Sequence, residues 1–311
     1  MIDVFFTYTI IVALLFFLII FFYRYIQEYL DIKKCKKIIQ KNSLTFYKAF
    51  SKIPNKRKKN AIYAVYAFCR YADDIVDDKK NEKELLKLES ELKMFVEGKT
   101  IPHFRWRALR KATRFYYKDF DYKPFFEMIE GQKRDLYHKD YKTLSELLDY
   151  CYLVAGTVGL MLLPILAPKK EEKLRNFAIC LGHAMQLTNI LRDVGEDYKN
   201  DRIYIPQDIL KKHNFSHQDF VSAKNDSRFK KIFEEIAQVA EKYYNDSLSH
   251  IHLFPKQSQA PIAFSIILYK AIIDACRENN YDVFSRKNYV SQKKKKELIK
   301  KYLQSLKNKN F

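Results

Sequence analysis

Glycine is scarce in this chain. Six glycines in 311 residues are too few for a Rossmann or P-loop architecture with its many tight turns, and they predict long helices with few sharp corners. No segment alternates apolar and polar residues with the two-residue period of a half-buried strand. The five cysteines, at positions 35, 69, 151, 180 and 276, are odd in number, widely scattered and form no C-x-x-C pair. That spacing argues against a disulfide scaffold or a zinc site and fits a reducing compartment. Acidic charge is also in deficit, with 37 Asp and Glu against 57 Lys and Arg, a formal +20. Such an excess suits anionic phosphates or lipid headgroups. Nucleic acid is not the expected partner, because lysines recur along most of the chain and no zinc-finger or RNP signature occurs. The densest basic run, Lys293 to Lys296, reads as a solvated helix end.

What the chain has is apolar surface. A hydrophobic share of 48% excludes general disorder, and much of it is concentrated at the start. Val4 to Tyr23 reads VFFTYTIIVALLFFLIIFFY without one charge. At about 1.5 Å per residue this is enough helix to cross a hydrocarbon core of roughly 30 Å. Asp3 precedes the run and bulky Phe and Tyr end it, unlike the basic start and small cleavage-site residues of a secretory signal. A retained single-pass membrane anchor over residues 1–23 is therefore expected, with a buried helix of a soluble domain as the alternative. Arg24, Lys33, Lys34, Lys36, Lys37 and Lys41 follow it, so the positive-inside rule puts the remainder, one domain over residues 24–311, on the cytoplasmic side.

Helical periodicity dominates that remainder, without a long linker or an internal repeat. Breaks are expected near Pro54, Pro102, Pro124, Pro164 with Pro168, Pro206, and Pro255 with Pro261. Between 226 and 253, Phe229, Phe233, Ile236, Val239, Ala240, Tyr243 and Ser247 recur at steps of three and four and make one apolar face. Core packing accounts for that stripe.

Four of the six glycines, Gly156, Gly159, Gly182 and Gly195, fall within one forty-residue stretch of helix-forming sequence. Each costs a helix about 1 kcal/mol relative to alanine, so something must come close to the backbone there, either a packed helix or a ligand. The same stretch carries NILRDVGEDYKNDRIYIPQD, Asn189 to Asp208. On a helix, Asp193 and Asp197 share one face with Asn189 a turn earlier, and like charges at that spacing repel. Glu196 and Asp201 add negative charge, which Arg192 and Arg202 partly offset. A second acidic stripe lies in YAVYAFCRYADDIVDD, Tyr63 to Asp78, where Asp73 pairs with Asp77 and Asp74 with Asp78 at the same spacing. Either stripe alone reads as a solvated helix face. Two together on otherwise apolar helices of a basic protein, each beside an arginine (Arg70, Arg192), point to a site for hard cations such as Mg²⁺ that share their coordination with a diphosphate.

Four segments, CRYADDIVD (69–77), YCYLVAGTVGLMLLPI (150–165), QLTNILRDVGEDYKNDRIYIPQD (186–208) and YDVFSRKNYVSQKKK (281–295), resemble the squalene/phytoene synthases, and the resemblance extends over about residues 35–300. It implies an all-α, single-domain isoprenoid synthase fold with a central tunnel, and an enzyme that joins two prenyl diphosphates head to head with Mg²⁺, or Mn²⁺ in its place. It implies that Asp73, Asp77, Asn189, Asp193 and Asp197 hold the metals and that Tyr150 joins the aspartates among the catalytic residues. It further implies substrate contacts from Ser43, Thr45, Tyr66, Arg70, Gln186, Arg192, Tyr269 and Arg286. Tyr150, Tyr152 and Tyr269 are candidate tunnel walls. Asn42 stands where many bacterial relatives have histidine. The anchor also departs from the soluble bacterial members.

The chemistry suits those residue types. Metals and arginines neutralise a departing diphosphate, which lowers the barrier to an allylic cation. The double bond of the second substrate then attacks to give a cyclopropylcarbinyl diphosphate, and a second ionisation leads to the linear product. NILRDVGED resembles the carotenoid branch, which makes phytoene or dehydrosqualene, so NADPH is not favoured. Phe50 and Tyr63 resemble positions towards the far end of the tunnel, where bulk favours farnesyl over geranylgeranyl diphosphate. The alternatives are a squalene synthase using NADPH, a prenyl diphosphate phosphatase, and a non-catalytic membrane-bound assembly factor.

Overall fold

The computed structural model describes residues 2–77, 81–117, 121–168, 171–221 and 226–308, and among them every regular element is helical. The helices are α1 (Ile2–Asn42), α2 (Leu44–Phe50), α3 (Lys56–Asp77), α4 (Glu82–Val96), α5 (Phe104–Tyr116), α6 (Lys123–Leu136) and α7 (Leu144–Cys151). They continue with α8 (Thr157–Leu166), α9 (Glu171–Lys199), α10 (Gln207–Lys212), α11 (Ser227–Ser249), α12 (Lys256–Glu278) and α13 (Gln292–Asn308). A π-helical turn, Tyr152–Gly156, joins α7 to α8. The expected all-α fold is what the chain adopts.

Local chemistry sets several helix starts. Asn81, Thr143 and Asp226 each accept a hydrogen bond from a backbone N–H in the first turn of α4, α7 and α11, satisfying donors that the helix leaves open. The carboxylate of Glu146 also accepts from the Lys142 backbone N–H at 2.7 Å, so the α7 start is held from both sides. Both paired breaks occur, since α8 ends at Leu166 between Pro164 and Pro168 and α12 begins at Lys256 just after Pro255. Pro164 and Pro261 sit inside α8 and α12. Each removes the one bond its own nitrogen would have donated, to the carbonyl of Leu160 in α8 and of Gln257 in α12.

Helix α3 is the centre of one half of the molecule. Ala61, Ala64, Ala67 and Ala72 are buried along it, and such small side chains let α1, α5, α6 and α8 approach closely. Helix α9 is the centre of the other half and packs on the π-helical turn, α8, α11 and α12. The apolar face of α11 behaves as its spacing predicts, with Phe229, Phe233, Ile236 and Ala240 fully buried. Tyr244, outside the predicted stripe, is also buried and shares a 2.9 Å hydrogen bond with Thr188 of α9.

The close approach predicted from the glycines is a contact between helices. A Cβ on Gly182 of α9 would lie 2.5 Å from the Gly156 nitrogen, and one on Gly159 would lie 2.6 Å from the Ala178 carbonyl oxygen. Gly195 faces the backbone of Phe284 at 2.5 Å in the same way. Helix packing therefore explains Gly159 and Gly182, the segment after α12 plays the same part for Gly195, and a π-helical turn ends at Gly156.

Helix α1 runs without a break across the expected boundary near residue 23. From Phe6 to Ile26 its side chains are exposed, and it is long and apolar enough to cross a membrane. The segments Leu144–Leu166 and Lys256–Glu278 also have that length and apolarity but are half or more buried within the domain, as core helices. The second half of α1 is docked. Cys35 and Ile39 are fully buried, and Asp31, only 2% exposed, accepts two hydrogen bonds from Arg107 of α5 at 2.7 and 2.9 Å. Lys111 pairs with Glu28 one turn further along. Arg107→Ala strands a buried carboxylate and should cost about 2 kcal/mol after allowance for the partly exposed arginine. Urea unfolding of the detergent-solubilised chain reads this, and adding Asp31→Leu to Arg107→Ala should restore most of the loss.

Candidate active site

The two acidic stripes lie on the C-terminal parts of α3 and α9 and line one cleft of about 970 Å³. Asp73, Asp77, Asn189, Asp193 and Asp197 all reach it, with Asp74 set back and bonded to Arg70 at 2.6 Å. Asp78 lies outside the described residues. From the cleft, a second cavity of about 340 Å³ continues between α2, α3, α8, α9 and α12. Its walls are mainly apolar, including Phe46, Phe50, Leu163, Leu166, Phe177 and Phe254.

Burial and mutual repulsion mark the carboxylates. Asp73 is pushed up to about 7 by burial and by the charge of Asp77, although Gln132 of α6 donates to it at 2.8 Å. Asp197 is pushed up to about 8 by burial and by Asp193. Basic groups offset part of this. Arg202 reaches Asp77 at 3.2 Å and so ties the segment after α9 to α3. Arg192 grips Asp193 through two guanidinium nitrogens, and Lys287 approaches the same carboxylate at 3.2 Å and Glu196 at 2.9 Å. The chain reaches Arg202 by leaving α9 through Asp201, whose φ of 57° is left-handed.

Most of the expected substrate residues gather here. Ser43, Arg70, Gln186, Arg192 and Tyr269 line both the cleft and the apolar cavity. Thr45 lines the cleft and Tyr66 the cavity. Asn42 lines both, with its amide nitrogen donating to the Ile38 carbonyl at 3.0 Å. Tyr150 lines the cleft and Phe50 the cavity.

Three expectations are corrected, those for Tyr152, Tyr63 and the run Lys293 to Lys296. Tyr152 lines neither space, because its hydroxyl turns to Glu127 of α6 at 2.6 Å. Tyr63 is buried against Tyr47, ring centroids 5.9 Å apart, away from the cavity wall. Arg286 lies in a neighbouring hollow of about 240 Å³ that shares Arg192, Asp193, Glu196 and Lys287 with the cleft. The run Lys293 to Lys296 is not wholly solvated, since Lys295 lines the cleft and donates to Thr45 Oγ1 at 2.8 Å.

Sequence reasoning missed Asp135. This carboxylate of α6 is buried at the cleft wall, pushed up to about 6 by burial, and held by the hydroxyls of Tyr204 at 2.7 Å and Tyr150 at 2.8 Å. The signal available was an aspartate on the apolar side of a helix, but its tyrosine partners lie 15 and 69 residues away. Gln132, one turn earlier on α6, was missed for the same reason.

The donors suit Mg²⁺. They are hard oxygens, two of the carboxylates are under-compensated, and the Asn189 side-chain oxygen is buried without a hydrogen-bond partner. Among the described residues, no three His, Cys, Asp or Glu side chains converge to enclose an ion by themselves.

A sequence profile described as squalene/phytoene synthase matches residues 39–294. Phytoene synthase 2, chloroplastic, of Solanum lycopersicum is 34% identical over 271 residues, covering 84% of this chain and 86% of the relative. The 15-cis-phytoene synthase of a Synechocystis strain is 35% identical over 276 residues, covering 84% and 81%. A crystal structure of a dehydrosqualene synthase in complex with a ligand superposes with a TM-score of 0.85 at 38% identity, covering 90% of this chain and 98% of that one.

The raised carboxylates predict a pH effect with a definite sign. Between the ordinary aspartate range and about 8, folded Asp73 and Asp197 keep protons that the unfolded chain gives up. Their contribution to stability without metal therefore falls as pH rises through that window. In EDTA, Asp197→Asn should be more stable than the parent at about pH 8, and the advantage should vanish at about pH 4. Mg²⁺ should raise the parent's Tm more at the higher pH, since it competes with protons. Scanning calorimetry at both values reads this.

Proposed function

The chain belongs to the squalene/phytoene synthase family and is a prenyltransferase of that type; on that premise we propose that it condenses two farnesyl diphosphates head to head, through a cyclopropylcarbinyl diphosphate, to dehydrosqualene. The single observation that carries the reading is the meeting of two carboxylate stripes at a cleft that opens into an apolar cavity. Mg²⁺ held by Asp73, Asp77, Asn189, Asp193 and Asp197 would supply Lewis-acid neutralisation of the leaving diphosphate. Arg70, Arg192, Lys287 and Lys295 bring positive charge to the same wall and orient the diphosphates. Ser43, Thr45 and Gln186 contribute hydrogen bonds, and Arg286 acts from the adjoining hollow.

Tyr150, Tyr204 and Asp135 form a buried network whose hydroxyls point to one carboxylate. They keep the wall nearest the reacting carbons dry and fixed. Tyr66 and Tyr269 offer ring surface to a cationic chain. Phe50 and Phe254 close around the apolar cavity and favour the shorter farnesyl chain. NADPH is not required, and residues 1–23 anchor the enzyme with its catalytic domain, 24–311, in the cytoplasm.

Incubation of the purified full chain with Mg²⁺ and radiolabelled farnesyl or geranylgeranyl diphosphate, with and without NADPH, tests this. Dehydrosqualene from farnesyl diphosphate, unchanged by NADPH, is the expected lipid. Farnesol alone would assign a phosphatase, squalene only with NADPH would assign the reductive branch, and no turnover would overturn the enzymatic reading. Asp73→Asn and Asp193→Asn should fold yet lose turnover by about a hundredfold or more. Phe50→Ala should raise the ratio of kcat/KM for geranylgeranyl over farnesyl diphosphate by about tenfold or more. An unchanged ratio would remove Phe50 from chain-length selection.

A further inference from the structure

We propose that the end of the catalytic domain from which the apolar part of α1 emerges is a phospholipid-docking surface, formed by Arg57, Arg114 and Phe115. It would sit level with Tyr23 to Tyr25 of α1, and the tunnel would then turn its apolar end to the bilayer and its carboxylates away. This rests on the reading of α1 as a membrane span.

The relative directions of three helices carry the inference. Along α1, Cys35 lies near Arg105, Asp31 binds Arg107, and Glu28 pairs with Lys111. Descending numbers on α1 match ascending numbers on α5, so α5 runs antiparallel to it and its C-terminus points towards the exposed half of α1. Helix α3 runs antiparallel to α5. Arg105 stacks on Tyr71, Trp106 packs on Phe68, and Arg57 lies 5.1 Å over the ring of Phe115. The start of α3 and the end of α5 therefore sit together, about one helical turn beyond the Glu28–Lys111 pair in the direction of Arg24.

The chemistry of that end suits a lipid interface. Phe115 is 49% exposed beneath the Arg57 guanidinium, and Arg57 and Arg114 are themselves exposed. On α1 the matching level holds Tyr23, Arg24 and Tyr25, with the tyrosines 68% and 62% exposed. Aromatic rings with basic groups at the foot of an apolar helix are the usual composition of the headgroup layer, and the arginines complement anionic lipids. The docked half of α1 makes the geometry fixed, because Asp31, Cys35 and Ile39 are buried against the domain.

The direction of the tunnel follows from the same register. Asp73 lies about 24 Å along α3 from Arg57, at about 1.5 Å per residue. The cavity touches α3 at Asp73, Arg70, Cys69 and Tyr66, stepping back towards the start of that helix. Along α8 it runs from Val158 to Leu166. The apolar end beside Phe50, Leu166 and Phe254 is therefore on the docking side, placed to deliver a hydrocarbon product to lipid.

Tryptophan quenching in vesicles of phosphatidylcholine and phosphatidylglycerol, with acyl chains brominated near the headgroup, tests the orientation. Trp106 is the only tryptophan and is buried, so it supplies a constant background. Phe115→Trp should lose most of its added emission in brominated vesicles. Val221→Trp, exposed beside the Phe220 ring that stacks on Tyr198 beyond the acidic stripe, should lose none. Should Phe115→Trp not fold, Arg114→Trp reads the same surface. Unquenched Phe115→Trp, or equal quenching of Val221→Trp, in protein that floats with the vesicles would overturn the docking while leaving the span intact. Protein that fails to float would refute the span and the docking together.

Discussion

Electrostatic repulsion between carboxylates on adjacent turns is the constraint on which the site depends. A basic, helix-rich chain places Asp73 with Asp77 and Asp193 with Asp197 on half-buried faces, where each pair destabilises the helix that carries it. The surrounding residues answer that repulsion. Arg202 bridges to Asp77, Arg192 and Lys287 converge on Asp193, and Gln132 donates to Asp73. Asp197 is left without a comparable partner and is the most strongly raised of the site carboxylates. Such an arrangement is under-neutralised by the protein alone and is completed by cations that arrive with a diphosphate.

The packing around α9 serves the same end. Glycine at 182 lets that helix meet the backbone of the π-helical turn, and this contact sets Val154 at the border between the cleft and the apolar cavity. A polar wall and a dry wall thereby meet along one helix, as an ionisation followed by carbocation chemistry requires. The close approaches at Gly159 and Gly182 lie beside the cavity wall, while α4 and α11 supply ordinary core.

Patterns local in the sequence were legible. The i, i+4 carboxylates, the apolar stripe of α11 and the uncharged run of α1 each depend on neighbours within a few turns, and the structure has the carboxylates on one cleft, the stripe in the core and the run as exposed helix. Side-chain direction across helices was not legible. Tyr150 and Tyr152 are two residues apart in one motif, yet one faces the cleft and the other faces Glu127, because positions i and i+2 on a helix point about 200° apart. Asp135 went unseen because its meaning comes from Tyr204, far away in sequence. Lys295 looked like part of a solvated run until the fold brought it to Thr45. The boundary expected after residue 23 falls inside one continuous helix, whose side chains stay exposed to Ile26 before the helix docks at Asp31.

The central claim is that the two acidic stripes bind a diphosphate only together with cations. Calorimetric titration of the full chain with a non-ionising thiodiphosphate analogue of farnesyl diphosphate, with Mg²⁺ and then with EDTA, tests it most directly. Tight binding that needs Mg²⁺, and is lost in Asp77→Asn combined with Asp197→Asn, is the predicted result. Equal affinity in EDTA, or undiminished affinity in the double variant, would contradict the account.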